Sequence, residues 1–165
     1  MKHAKLFKSK KQPRLKDKTG LPPGTLVHIG EKLSETVSID MVDYGSDHCD
    51  VSEDILLEDI YLNLKKSESK TWVRISGLHD ETAIESLGEE LGIHPLVLED
   101  IMNTTQRTKV EDYDDYLYIV VKSLSSQIGD IEPGIRQVSI ILSRHYVISF
   151  HEHKDKLFDI ITSRI

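Results

Sequence analysis

Cysteine is almost absent. Cys49 stands alone in a chain of 165 residues, so neither an internal disulfide nor a cysteine-pair zinc site can form. Long apolar runs are missing as well: none approaches the roughly 18 residues that a membrane helix needs. The longest, around Ile119-Val120-Val121 and Ile140-Ile141-Leu142, are strand-sized. The lysine-rich N-terminus has no apolar stretch behind it, so no signal peptide is visible. The usual marks of enzymes are also lacking. No nucleophile stands with its base, and there is neither a P-loop nor a dinucleotide fingerprint. Glu111-Asp112-Tyr113-Asp114-Asp115 is dense in acid but lacks the spacing and the glycine of an EF-hand loop, and it reads as a solvated turn. These absences point to a reducing, cytosolic setting and argue against catalysis.

What is present suits one soluble domain. At 38% hydrophobic and 30% charged, the composition is globular, and a chain of this length buries roughly 70% of its unfolded surface. The net charge of −7 hides an asymmetry. Residues 1–20 carry eight Lys/Arg and one acid, or +7, which leaves 13 basic and 27 acidic residues and −14 for the remainder. An acidic body repels nucleic acid and attracts divalent cations. The basic tail suits either an anionic membrane surface or a solvated arm.

Residues 1–19 lack hydrophobic periodicity and are expected to form a flexible tail. Pro22-Pro23-Gly24 introduces the fold, and Thr25 to Ile29 reads as a first strand ended by Gly30. Val37 to Val42 alternates with period two and reads as a second. A short strand near Asp50 to Ser52 follows, then a helix through Ile55, Leu56, Ile60 and Leu64 with Asp54 as its cap. Thr71 to Ser76 suits a central strand. Asp80 or Thr82 opens the next helix, Thr82 to Glu85 fitting a capping box, with Ala83, Ile84, Leu87 and Leu91 as its buried stripe. Strands are expected over Tyr116 to Val121, Arg136 to Leu142 and Tyr146 to Phe150, the last two forming a hairpin about Ser143-Arg144-His145. Ser67 to Lys70 and Ile131 to Gly134 read as connections. From Asp155 onward, Leu157, Phe158, Ile160 and Ile161 begin an amphipathic helix without a stop signal before Ile165.

The most informative stretch is Gly92-Ile93-His94-Pro95-Leu96-Val97-Leu98-Glu99-Asp100-Ile101-Met102-Asn103. Gly92 suits a left-handed helix end, and Pro95 the first position of a new helix. His94 stands as the cap, between Ile93 and Leu98 as a hydrophobic staple. Glu99 and Asp100 then fall near the negative end of the helix dipole, where carboxylates are disfavoured by roughly 0.3–1 kcal/mol each. A bound cation or a basic neighbour removes that objection, and a solvated polar face is the plain alternative. His151 and His153, two apart at a strand end, share a face but show no third ligand; an ordinary exposed pair is the simpler reading.

The stretch from Gly92 to Ile101, followed by Asn103, Gln106-Arg107 and Lys109-Val110-Glu111, resembles the cytoplasmic domain of the CorA family of magnesium transporters. Gly20 to Val27, Thr71 to His79, Tyr116 to Lys122 and Gln137 to Phe150 extend the resemblance over about residues 20–165. Thr108 departs from the pattern, since many relatives have proline there.

The resemblance implies an α/β fold, a mixed sheet with helices on both faces as an α/β/α sandwich. Residues 20–154 would be the cytoplasmic domain and 155–165 the start of a long stalk helix, with the chain a piece of a longer protein. It implies a regulatory domain that senses Mg2+ (Co2+ or other divalent cations being further ligands) and gates cation uptake. Its partners would be identical protomers in a homopentamer at the cell membrane, with this domain on the cytoplasmic side. Carboxylates at the positions of Glu99 and Asp100 contribute to metal sites between protomers in that family. A related zinc, cobalt or nickel transporter, or a free-standing soluble binding module, are the alternatives.

Overall fold

A computed structural model describes residues 20–30, 34, 36–64, 69–125, 134–154 and 159–165. Seven strands form one sheet in the order β2-β1-β3-β7-β6-β5-β4. They are β1 (Ser38–Tyr44), β2 (Cys49–Ser52), β3 (Lys70–Ser76), β4 (Lys109–Tyr113), β5 (Tyr116–Ser125), β6 (Gly134–Ser143) and β7 (Tyr146–His151). The sheet is mixed. β3 and β7 run parallel at its centre, and every other neighbouring pair is antiparallel.

Alternation along the strands creates two different faces. Ile39 and Met41 of β1, Val73 and Ile75 of β3, and Ile148 and Phe150 of β7 enter the main core. Three helices cover that side: α1 (Leu57–Leu64), α2 (Glu81–Leu91) and α3 (Pro95–Met102), through Ile60, Ile84, Leu87, Val97, Leu98, Ile101 and Met102. The opposite side carries Asp40, Val42, Trp72, Arg74, Ser149 and His151, all buried. It receives α4 (Asp159–Thr162), whose Asp159 Oδ1 accepts a 3.2 Å hydrogen bond from Arg74 Nη1. Helices thus lie on both faces, as expected for an α/β/α sandwich, with most of the helical mass on one.

Several elements differ from expectation. Residues 25–29 do not form a strand: Ile29 makes one isolated parallel bridge to Asn103, through Ile29 N–H to Met102 O at 3.0 Å and Thr104 N–H to Ile29 O at 2.9 Å. Their β propensity has no partner strand to complete it, because the sheet edges are β2 and β4. Asp54 is not the cap of α1. Its φ of 50° is left-handed, its carboxylate accepts from Ser38 Oγ at 2.6 Å, and the helix begins at Leu57. Asp80 alone caps α2, accepting from Ala83 N–H at 3.0 Å, so the box at Thr82 is not used. Within the expected acidic turn, Glu111 to Tyr113 belong to β4, and only Asp114 and Asp115 turn the chain. His151 is buried and bonds Ser149 Oγ at 2.9 Å, so it is not half of an exposed pair with His153. The tail at 1–19, most of the two expected connections and residues 155–158 of the last helix lie outside the described residues.

His28 on this N-terminal segment gives a pH signature. Burial and the neighbouring His79 hold its imidazole below the ordinary value of 6.5, partly offset by Glu81. The unfolded chain therefore protonates first as pH falls, and the stability due to a neutral His28 is present above about 6.5 and lost below it. His28→Gln is expected to flatten the pH dependence of the urea midpoint just below that value. An unchanged slope would show that His28 does not contribute.

Candidate metal centre

Helix α3 is set by local chemistry. Gly92 ends α2 at φ 65°, and Ile93 N–H returns to Gly88 O at 2.8 Å. His94 Nδ1 accepts from Leu96 N–H at 3.2 Å, with Pro95 in the first helical position. Ile93 and Leu98, the two staple positions, are each 4% exposed and belong to the same core cluster. A further anchor ties this corner to the sheet, since His94 N–H donates to Tyr116 Oη at 3.0 Å.

Glu99 and Asp100 both fall in the last turn of α3, where no basic residue stands. Consecutive residues on a helix diverge by about 100°, and the two carboxylates reach different partners. Glu99 Oε2 accepts from Gly24 N–H at 2.7 Å and lines a cavity of about 290 Å³ with Leu21, Pro22, Pro23, Thr25 and Leu96. Asp100 turns to β4. Its Oδ1 accepts from Gln106 Nε2 at 2.6 Å, and its Oδ2 from Lys109 Nζ at 2.5 Å. The basic neighbour that the sequence left open is therefore Lys109, nine residues on.

Lys109 also donates to Glu111 Oε1 at 2.9 Å and lies 5.2 Å from the centroid of the buried Tyr118 ring. Burial alone lowers its pKa, but the bonds and charges of Asp100 and Glu111 outweigh this and hold it above the usual lysine value. Behind this group, Gln137 is 2% exposed and acts as a hub. Its Oε1 accepts from Gln106 N–H at 3.1 Å and from Lys122 Nζ at 2.9 Å. Its Nε2 donates to Asn103 O at 3.1 Å and to Asp100 O at 3.4 Å. The loop after α3 is thereby pinned to β6. Neither Lys109 nor Gln137 carries a local signal of such a role; only their meeting in space does.

As donors the carboxylates suit a hard cation. Magnesium prefers oxygen, keeps several waters and is commonly held by one or two carboxylates. Among the described residues, no group of three or more His, Cys, Asp or Glu is placed to hold a metal ion. Asp100 and Glu111 share the ammonium of Lys109, and Glu99 is a separate carboxylate facing the N-terminal segment. A second cleft of about 540 Å³ lies between α2, α3 and the turn joining β4 to β5, with Glu85, Glu89, Asp114 and Asp115 among its lining. None of the expected site residues enters it.

The model of the CorA-like Mg2+ transporter protein family matches residues 67–165, which contain α3, Lys109, Glu111 and Gln137. The chain belongs to the CorA family. The cobalt/magnesium transport protein CorA of Thermotoga maritima is 38% identical over 154 residues, covering 93% of this chain and 43% of that protein. The chain thus spans less than half the length of that relative. Among solved structures, the soluble domain of CorA from Methanocaldococcus jannaschii aligns with TM-score 0.50 at 16% identity, over 74% of this chain and 46% of that one. The ZntB cytoplasmic domain of Vibrio parahaemolyticus aligns at 0.58 and 12%, over 76% and 48%. These two likenesses concern the fold. The CorA family is one of transporters rather than enzymes, and no helix among the described residues is long and apolar enough to cross a membrane.

Proposed function

We propose that this chain is the cytoplasmic regulatory part of a CorA-like magnesium transporter, that it senses Mg2+, and that it gates divalent cation uptake. The observation that carries the reading is the family match through residues 67–165 together with a Glu-Asp pair at the negative end of α3. The greater length of the Thermotoga relative supports a longer protein in which residues 20–154 form the sensor and 155–165 begin a stalk helix. The pore and the membrane segments belong to that longer protein. Identical protomers, arranged as a homopentamer at the cell membrane, supply the remaining ligands.

Mg2+ would be met by Asp100 at one position and by Glu99 at another, each with facing carboxylates of a neighbouring protomer. The cation screens charges that otherwise repel, so it stabilises the closed ring in proportion to its preference for that state. Co2+ fits the same oxygen donors less selectively. The 38% identity to a cobalt/magnesium transport protein supports magnesium or cobalt as the cargo.

The test uses the intact transporter. Wild type is expected to gain protease protection as Mg2+ is added. Asp100→Ala deletes a ligand and should need several-fold more Mg2+ for the same protection, the usual scale of a coupling of 1–3 kcal/mol. Asp100→Lys places a tethered cation at the interface and should resist digestion after Mg2+ is removed. Identical Mg2+-dependent protection in all three would refute the sensing role.

A further inference from the structure

We propose that Lys109 is the resident counter-ion of Asp100, and that it sets how much divalent cation is needed before metal takes its place. This rests on the reading that Asp100 meets a divalent cation.

The geometry is that of a seat already filled by a positive charge. Lys109 Nζ lies 2.5 Å from Asp100 Oδ2 and 2.9 Å from Glu111 Oε1, above the face of the Tyr118 ring. An ammonium and a magnesium ion seek the same oxygens, one through its N–H donors and the other by direct or water-mediated coordination. Magnesium binds carboxylate oxygen at about 2.0–2.1 Å. On Asp100 Oδ2 it would stand within a few ångströms of the ammonium, where two cations repel strongly in a partly desolvated site. Occupancy by one therefore excludes the other.

Exchange needs no backbone movement. Lys109 is on an edge strand whose main chain is paired to Val120 of β5, and its side chain is 25% exposed at the mouth of the site. Its four-carbon stem can carry the ammonium to solvent. The oxygens it leaves remain in place. Gln106 still holds Asp100 Oδ1, and Gln137 still pins the loop. Glu111, with 40% of its side chain exposed, becomes the second carboxylate open to the metal. With Lys109 seated, Asp100 is neutralised at low Mg2+, so the response shifts to higher concentration than a bare carboxylate would give.

The experiment titrates this chain with magnesium chloride, at constant ionic strength set with sodium chloride, and follows the amide resonances of Asp100 and Glu111. Wild type, Lys109→Gln, Lys109→Met and the double variant Asp100→Asn/Lys109→Gln are compared. Both single variants are expected to bind Mg2+ about tenfold more tightly than wild type, mid-range for coupled sites. The double variant should lose that gain. Equal affinity in wild type and the single variants would overturn the proposal, as would a gain that survives Asp100→Asn. Single variants that fail to fold and are not rescued by Mg2+ would assign Lys109 to the fold alone, and overturn it too. Should the gating test fail in the intact transporter while Lys109→Gln still tightens binding here, the sensing reading falls and the counter-ion role stands.

Discussion

Asp40→Ala is expected to destabilise the domain by about 3–5 kcal/mol, the usual penalty for leaving one member of a buried ion pair alone. Asp40 is 3% exposed on the side of the sheet opposite the three helices. Its Oδ2 accepts from Arg74 Nη2 at 3.2 Å, and its Oδ1 from Asp54 N–H at 3.2 Å and Lys154 Nζ at 3.1 Å. Alanine removes all three bonds. Among the described residues Arg74, itself only 10% exposed in its side chain, would retain a single carboxylate, that of the more exposed Asp159. Its Nε already has no partner among the described residues, so no slack remains in the pairing. The check is the urea midpoint at unchanged m, which separates lost stability from a changed unfolded state. A loss below about 1 kcal/mol would place the pair with ordinary surface bridges. The double variant Asp40→Leu/Arg74→Met removes both charges and should recover most of the loss, since apolar replacements of buried pairs are often near neutral.

This pair has a second consequence. Arg74 stands on the central strand β3 and reaches Asp159 at the start of α4, so one guanidinium joins the middle of the sheet to the last helix. Strands β7, β6 and β5 separate Arg74 on β3 from Lys109 on β4.

Some of this was legible in the sequence because it is local. Gly92, His94, Pro95 and the Ile93–Leu98 staple are separated by at most a few residues, and each has its own chemical reason to stand where it does. The strands β1, β3, β6 and β7 announce themselves by alternation or by β-branched density. Strand β4 does not. Lys109-Val110-Glu111-Asp112-Tyr113 holds few apolar residues, and it is a strand because β5 offers a ladder to it. The converse holds at residues 25–29, whose composition favours a strand that the sheet does not accommodate. The partner of Asp100 was invisible for a related reason: an ion pair nine residues apart depends on a loop and a strand edge, and no period encodes it.

Gly88 shows the same limit at a helix contact. The apolar stripe of α2 names Ala83, Ile84, Leu87 and Leu91, while Gly88 in the helix interior would ordinarily cost about 1 kcal/mol against alanine. It is nevertheless buried, and a Cβ built there would overlap Leu98 Cδ1 and stand 2.8 Å from Cδ2 and 3.0 Å from Cγ. The missing side chain lets α3 approach, and α3 carries both Glu99 and Asp100. Leu98 cannot easily yield, being 4% exposed within the main core. Gly88→Val is therefore expected to cost about 2–3 kcal/mol, toward the upper part of the range for overpacking. Leu98→Ala alone should cost about 2–5 kcal/mol through the cavity it leaves. Because the valine would fill part of that cavity, Gly88→Val/Leu98→Ala should lose less than the two singles together, by about 1–2 kcal/mol. Urea unfolding of the four proteins closes the cycle. Strict additivity would mean that Gly88 is required by the backbone of α2 and not by the approach of α3.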